Sequence, residues 1–144
     1  MQVDFYQLSR DPAAVVVPML AAKTLKTGER LLVVSVDDDL TAQISENLWA
    51  GAESFLAHGL SGGPHDARQP ILLADRPEPT NGARYVILAD GLWHEAALGF
   101  DRAFLLFDGS TIDDARATWR SLDGREGVTR NFWRQDAGRW TKIA

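Results

Sequence analysis

Leu31-Leu32-Val33-Val34-Ser35-Val36 runs directly into Asp37-Asp38-Asp39. A continuous apolar run without alternation suits a strand buried on both faces, as in a parallel sheet. The aspartates then fit the first turn of a helix, where carboxylates meet the positive end of the helix dipole. Leu40, Ile44, Leu48 and Trp49 follow at helical spacing.

The pattern extends to both sides of this unit. Val3 to Leu8 is rich in strand formers. Asp11-Pro12 reads as a cap followed by a first-turn proline, opening a helix that runs to about Lys26 and stops at Gly28. Pro18 falls inside that span and must kink the helix or mark its true beginning. Downstream, residues 58–70 and Pro77 to Gly82 read as loops. Ile71 to Ala74, Tyr85 to Ala89 and Ala103 to Phe107 are strands, and Leu92 to Gly99 fits neither class. Ser110 or Thr111 caps a last helix with Asp113 and Asp114 in its first turn. Its inward stripe is Ile112, Ala115 and Trp119, while Arg116 and Arg120 share another face. Asn131 to Gln135 and Arg139 to Ile143 flank Asp136-Ala137-Gly138, a hairpin pattern. Alternating strands and helices imply a single α/β domain with a mostly parallel sheet.

Composition narrows the function. The 144 residues are 45% hydrophobic and 24% charged, a globular balance. There is no cysteine, so disulfides and thiolate metal sites are excluded. No apolar run approaches the ~20 residues of a membrane helix. Met1-Gln2-Val3-Asp4 has neither a basic region nor an apolar stretch, so a cytoplasmic protein is expected. Net charge is −5, against direct gripping of duplex DNA. From Arg116 onward, however, seven bases accompany three acids, a local charge of +4, whereas residues 1–115 carry −9. A basic end on an acidic body fits one surface for an anionic partner, or simply a solvated tail.

Catalytic patterns are missing. No HExxH and no G-x-S-x-G occurs. His58, His65 and Asp66 lie in a glycine-rich loop with weak metal-ligand spacing. Gly59-Leu60-Ser61-Gly62-Gly63 lacks the lysine of a phosphate loop. The enzyme-like feature is Asp37 to Asp39, at the carboxyl end of a strand where open α/β sheets place ligands. The alternatives there are a nucleotide- or phosphoryl-binding site and plain helix capping. Trp133 and Trp140 offer a third possibility, stacking on single-stranded DNA.

Several stretches together resemble the chi subunit of bacterial DNA polymerase III. They are Val3 to Leu8, the helix–Gly28–strand passage into the acidic helix start, Leu48-Trp49 with Glu53 to Gly59, and Phe132 to Lys142. Each is weak alone, but their order and spacing agree along essentially the whole chain. The resemblance implies a three-layer α/β/α sandwich with no catalysis, metal or cofactor. It implies an adaptor that pairs with a small psi subunit, or another clamp-loader component, and captures the C-terminal tail of single-stranded-DNA-binding protein. Contact with DNA is then indirect.

That tail is acidic and ends in Ile-Pro-Phe with a free carboxylate, so its receptor needs guanidinium or ammonium groups beside an apolar pocket. By resemblance, Arg116, Trp119, Arg120 and Leu105 match the tail site. Trp49 and Phe55 match the face for psi or a competing helicase-like protein. For Trp119, Trp49 and Phe55 the alternative is core packing. Two departures stand out. Ile112 replaces a lysine found one turn before the arginine, which leaves Arg125, Arg130 or Arg134 as substitutes. Ala57 replaces a proline before His58.

Overall fold

The computed structural model describes residues 1–50, 56–136 and 139–144. Its strands are β1 (Gln2–Gln7), β2 (Leu31–Val34), β3 (Gly59–Leu60), β4 (Ile71–Ala74), β5 (Tyr85–Leu88), β6 (Arg102–Phe107), β7 (Thr129–Asp136) and β8 (Arg139–Lys142). They form one sheet in the order β3-β4-β2-β5-β6-β1-β7-β8. Every neighbouring pair is parallel except β7 with β8. Helices α1 (Ala13–Lys26) and α2 (Asp38–Trp49) cover one face, and α3 (Ile112–Ser121) lies on the other. The fold is thus the expected α/β/α sandwich.

The lack of alternation in β2 has a direct cause. Leu31 and Val33 enter the core under α1 and α2, while Leu32 and Val34 enter the core on the α3 side. Both faces of the strand are dry, so both sets of side chains are apolar. Asp37 behaves as a cap: its carboxylate accepts from the Asp39 and Leu40 amides at 3.0 and 3.2 Å.

Three expectations need correction. Asp11 is not the cap of α1; the capping position is Pro12, with no side-chain bond. The Asp11 carboxylate instead accepts from Gln135 Nε2 at 2.8 Å, and Gln135 Oε1 accepts from the Arg10 and Asp11 amides. The segment 58–70 is not all loop, because Gly59–Leu60 pairs with β4 and Asp66–Arg68 forms a short 3-10 turn. Thr111 occupies the capping position of α3 without a side-chain cap. The Asp108 carboxylate organises that turn, accepting from the Ser110 amide at 2.9 Å and its hydroxyl at 2.6 Å. These bonds hold the Asp108 carboxyl below the usual aspartate pKa. Of the hairpin turn, Ala137 and Gly138 lie outside the described residues.

Within β1, Asp4 is fully buried and its carboxylate is saturated with donors. Arg102 Nε on β6 lies at 2.7 Å, Asn131 Nδ2 and Trp133 Nε1 on β7 at 3.1 and 3.2 Å, and Gln2 Nε2 at 3.1 Å.

Pro18 sits inside α1, which nevertheless starts at Ala13. A proline has no N–H, so the Ala14 carbonyl four residues earlier loses its helical donor. Asn47 Nδ2 on α2 takes that place at 2.7 Å. The bond fastens the two helices where the sequence breaks the first. Asn47→Leu strands a buried carbonyl, and about 1–3 kcal/mol of stability is expected to be lost. Urea unfolding checks this: the midpoint falls while the slope stays constant.

Candidate peptide-binding face on the last helix

Helix α3 is held by its inner stripe. Ala115 is fully buried, and Ile112 and Trp119 pack on the same core. The Trp119 ring stands edge-on to Phe5 at 5.1 Å and to Phe132 at 5.6 Å between centroids. Aromatic pairs favour this geometry, since a positive ring edge meets a negative face. Leu105 is fully buried on β6 in this layer, so it supports the surface from beneath and does not line an open pocket.

Trp119 does not stand free between Arg116 and Arg120. The Arg130 guanidinium lies 4.1 Å over its ring, an arrangement that favours the cation. Arg130 Nη1 also donates to the Trp119 carbonyl, and Nη2 pairs with Asp123 at 2.8 Å. Trp119 is therefore part core and part surface.

Arg116 and Arg120 are exposed one turn apart on the outer side of α3. Neither forms an ion pair with another described residue. The three substitutes considered for the missing lysine are already engaged. Arg125 pairs with Glu95 at 3.2 Å, Arg130 with Asp123, and Arg134 with Asp136 at 3.4 Å. Ile112, in turn, packs on the core, consistent with its apolar identity.

A second surface lies at the end of α2. Trp49 is 47% exposed and its ring is 4.5 Å from that of His58. His58 is buried, with Nε2 at 2.7 Å from Ser45 Oγ and Nδ1 at 2.9 Å from the Leu56 carbonyl. Both nitrogens are occupied, which removes His58 as a metal ligand. Trp49 borders a groove of about 560 Å³ that reaches Ser45 and Glu46 on α2 and Leu60 on β3. Leu60, 62% exposed, was hidden in the sequence by the glycines around it. Phe55 lies outside the described residues.

Comparison with known families gives one result: the family model of the DNA polymerase III chi subunit, HolC, matches residues 1–129. The chain belongs to the chi family. No curated protein matches it. The match includes Trp49, Leu105, Arg116, Trp119 and Arg120, and it ends at Thr129, the first residue of β7. As a chi-family member the protein is an accessory subunit of DNA polymerase III. No helix among the described residues is long and apolar enough to cross a membrane.

The chi fold also has a crevice of about 520 Å³ at the carboxyl ends of the strands, where α/β sheets often bind ligands. Here it is lined by five carboxylates, Asp11, Asp37, Asp39, Asp90 and Asp108, with Arg10 as the cation among its lining residues. A phosphoryl group is repelled by that set. Four of the carboxylates already accept hydrogen bonds within the protein: Asp11 from Gln135 on β7, Asp37 from its helix, Asp90 from Val36 and Leu92, and Asp108 from Ser110. Among the described residues no acidic or histidine cluster could hold a metal ion. Trp133 and Trp140 are similarly committed. Trp133 donates to Asp4, and the Trp140 ring lies 4.9 Å from that of Tyr6.

Stability and binding separate on this face. Arg130→Met removes the cation on Trp119 and two hydrogen bonds, and about 1–3 kcal/mol of unfolding free energy is expected to go with them. Arg116→Ala and Arg120→Ala are expected to stay within about 0.5 kcal/mol of wild type. Parallel urea titrations of the three variants check this.

Proposed function

We propose that the chain is the adaptor of its polymerase assembly, joining the clamp loader to single-stranded-DNA-binding protein by holding that protein's acidic C-terminal tail. The observation that carries this is the pair Arg116 and Arg120, guanidiniums one turn apart that form no ion pair with another described residue, beside the partly exposed Trp119. A guanidinium presents a planar fork that meets a carboxylate with two parallel bonds. The tail's acidic residues and terminal carboxylate supply such groups, and its last phenylalanine supplies an apolar anchor for the Trp119 and Ile112 edge. Trp119 is braced by Phe5, Phe132 and Arg130, so little conformational freedom is lost when a peptide lands beside it.

The second contact of the adaptor is the groove beside Trp49, taken by psi or by a helicase-like competitor. A large, half-exposed tryptophan next to an exposed leucine is the kind of anchor on which interface energy concentrates.

Fluorescence anisotropy with a labelled peptide ending in Asp-Asp-Ile-Pro-Phe tests the tail site. Saturable binding is expected, weakened about tenfold or more by Arg116→Ala, since a charge-assisted hydrogen bond is lost. A peptide lacking the last Phe should bind comparably poorly. Affinity indifferent to both changes would move the site off α3. The second contact has its own test. Trp49→Ala should weaken binding of purified psi about tenfold or more while leaving peptide affinity unchanged. Loss of both together would mean that the two faces are not independent.

A further inference from the structure

We propose that a small pocket beside the C-terminal half of α1 is a binding site for a small oxyanion, either phosphate or carboxylate. The pocket lies between α1 and the sheet, with a volume of about 120 Å³. That is room for about four water molecules, enough for one oxyanion group and too little for a nucleotide. Its polar lining comes from Lys23 and Thr24 on α1, Thr27 just after it, Tyr6 on β1, Tyr85 on β5 and Arg102 on β6.

Every one of these groups is a donor. Tyr6 is nine-tenths buried, its ring packed against Trp140 at 4.9 Å and Phe104 at 5.9 Å. Its hydroxyl bonds to no other described residue, yet it is not sealed in, and the pocket it lines is its way out. Burial first, and the nearby Asp4 carboxylate second, push the Tyr6 pKa up, against the opposing effect of Arg102. The hydroxyl therefore remains protonated, able to donate, at neutral pH.

Charge favours the same ligand. Arg102 gives its Nε to Asp4 at 2.7 Å and its guanidinium lies 4.7 Å over the Phe104 ring, while its terminal nitrogens donate a hydrogen bond to no described residue. Lys23 is exposed and unpaired among them as well. With Asp4 balancing one cation, a net positive charge remains for an incoming anion. The C-terminal end of α1 disfavours an anion, and Lys23 and Lys26 in its last turn offset that effect. The Thr24 and Leu25 carbonyls are taken by the Thr27 and Gly28 amides, each at 3.0 Å. The threonine hydroxyls of this segment donate to their own helix and do not compete for the anion.

The test is a ¹⁵N–¹H NMR titration of the whole chain with sodium phosphate and, in parallel, sodium acetate, with sodium chloride at matched ionic strength as the reference. Saturable shifts centred on Thr27, Tyr85 and Arg102 are expected with phosphate, acetate or both, and the stronger arm identifies the source. Tyr6→Phe removes a hydroxyl without a partner, so the fold is retained. It should weaken binding about tenfold, as loss of one hydrogen bond to a charged group does. Lys23→Gln should do the same, and Lys26→Gln, whose side chain does not line the pocket, should not. No saturable shift with either anion would overturn the proposal. So would affinity that survives both Tyr6→Phe and Lys23→Gln, or an equal loss in Lys26→Gln, which would mark diffuse attraction to a basic helix end.

Discussion

A fully buried carboxylate, Asp4, ties together three neighbouring strands of the sheet. An ion moved out of water costs several kcal/mol unless its partners are well placed. Asp4 meets that condition with donors from three adjacent strands, Arg102 on β6, Gln2 beside it on β1, and Asn131 and Trp133 on β7. A slip of β7 by one residue would turn Asn131 and Trp133 to the other face and leave the charge with half of its partners. The register of β6, β1 and β7 is therefore fixed by a polar contact in an otherwise apolar layer.

The face proposed to bind the peptide follows from that register. Phe5 is the next residue along β1 and points to the opposite core, opposite Phe132 on β7. Those two rings are the ones Trp119 stands against. Arg130, two residues before Phe132 on the same strand, is thereby brought over the Trp119 ring. Strand pairing thus positions a tryptophan on a helix, and the tryptophan orients the turn that displays Arg116 and Arg120. Gln135 extends the same logic to the other end of β7, where it binds Arg10, Asp11 and, through its carbonyl, Ser9. The family match ends where β7 begins, yet β7 supplies Arg130, Asn131, Phe132, Trp133 and Gln135 to contacts with residues inside it.

What the sequence disclosed, and what it concealed, divides along physical lines. β2, β4, β5 and β6 are legible because strands dry on both faces leave continuous apolar runs. β3 is not, since two residues beside glycines carry no periodicity. The spacing of Arg116 and Arg120 reveals a shared helix face, because that relation is local. The Arg130–Trp119 stack joins positions eleven residues apart through a strand and a loop, and no local pattern encodes it. Pro18 announces a broken helical bond, but the partner that repairs it, Asn47, belongs to another helix. Asp4, an acid in an apolar strand, gives no hint of its four donors. Trp133 and Trp140, plausible as stacking surfaces in the sequence, are spent covering β1. The carboxylate cluster of Asp37 to Asp39 resolves as Asp37 capping α2, with its neighbours at the helix start.

The distribution of charge favours the proposed outer-surface site over the strand-end crevice for an anionic partner. The strand-end crevice, the usual ligand site of such sheets, is ringed by aspartates and repels anions. Net charge is −5, so an acidic peptide approaching at random meets repulsion over most of the molecule. That repulsion is screened beyond about 10 Å at 0.1 M salt, whereas a guanidinium in direct contact with a carboxylate is screened less. On the proposed reading the acidic body is a filter: it discourages an acidic peptide over much of the surface and favours the place where Arg116 and Arg120 emerge beside an aromatic edge. A wholly basic surface would bind such a peptide in many registers and would also bind nucleic acid. Arg116 and Arg120 stand exposed on one turn of α3, whereas Arg125, Arg130 and Arg134 are each paired with a carboxylate, which leaves the α3 pair as the cations of that face for the proposed peptide.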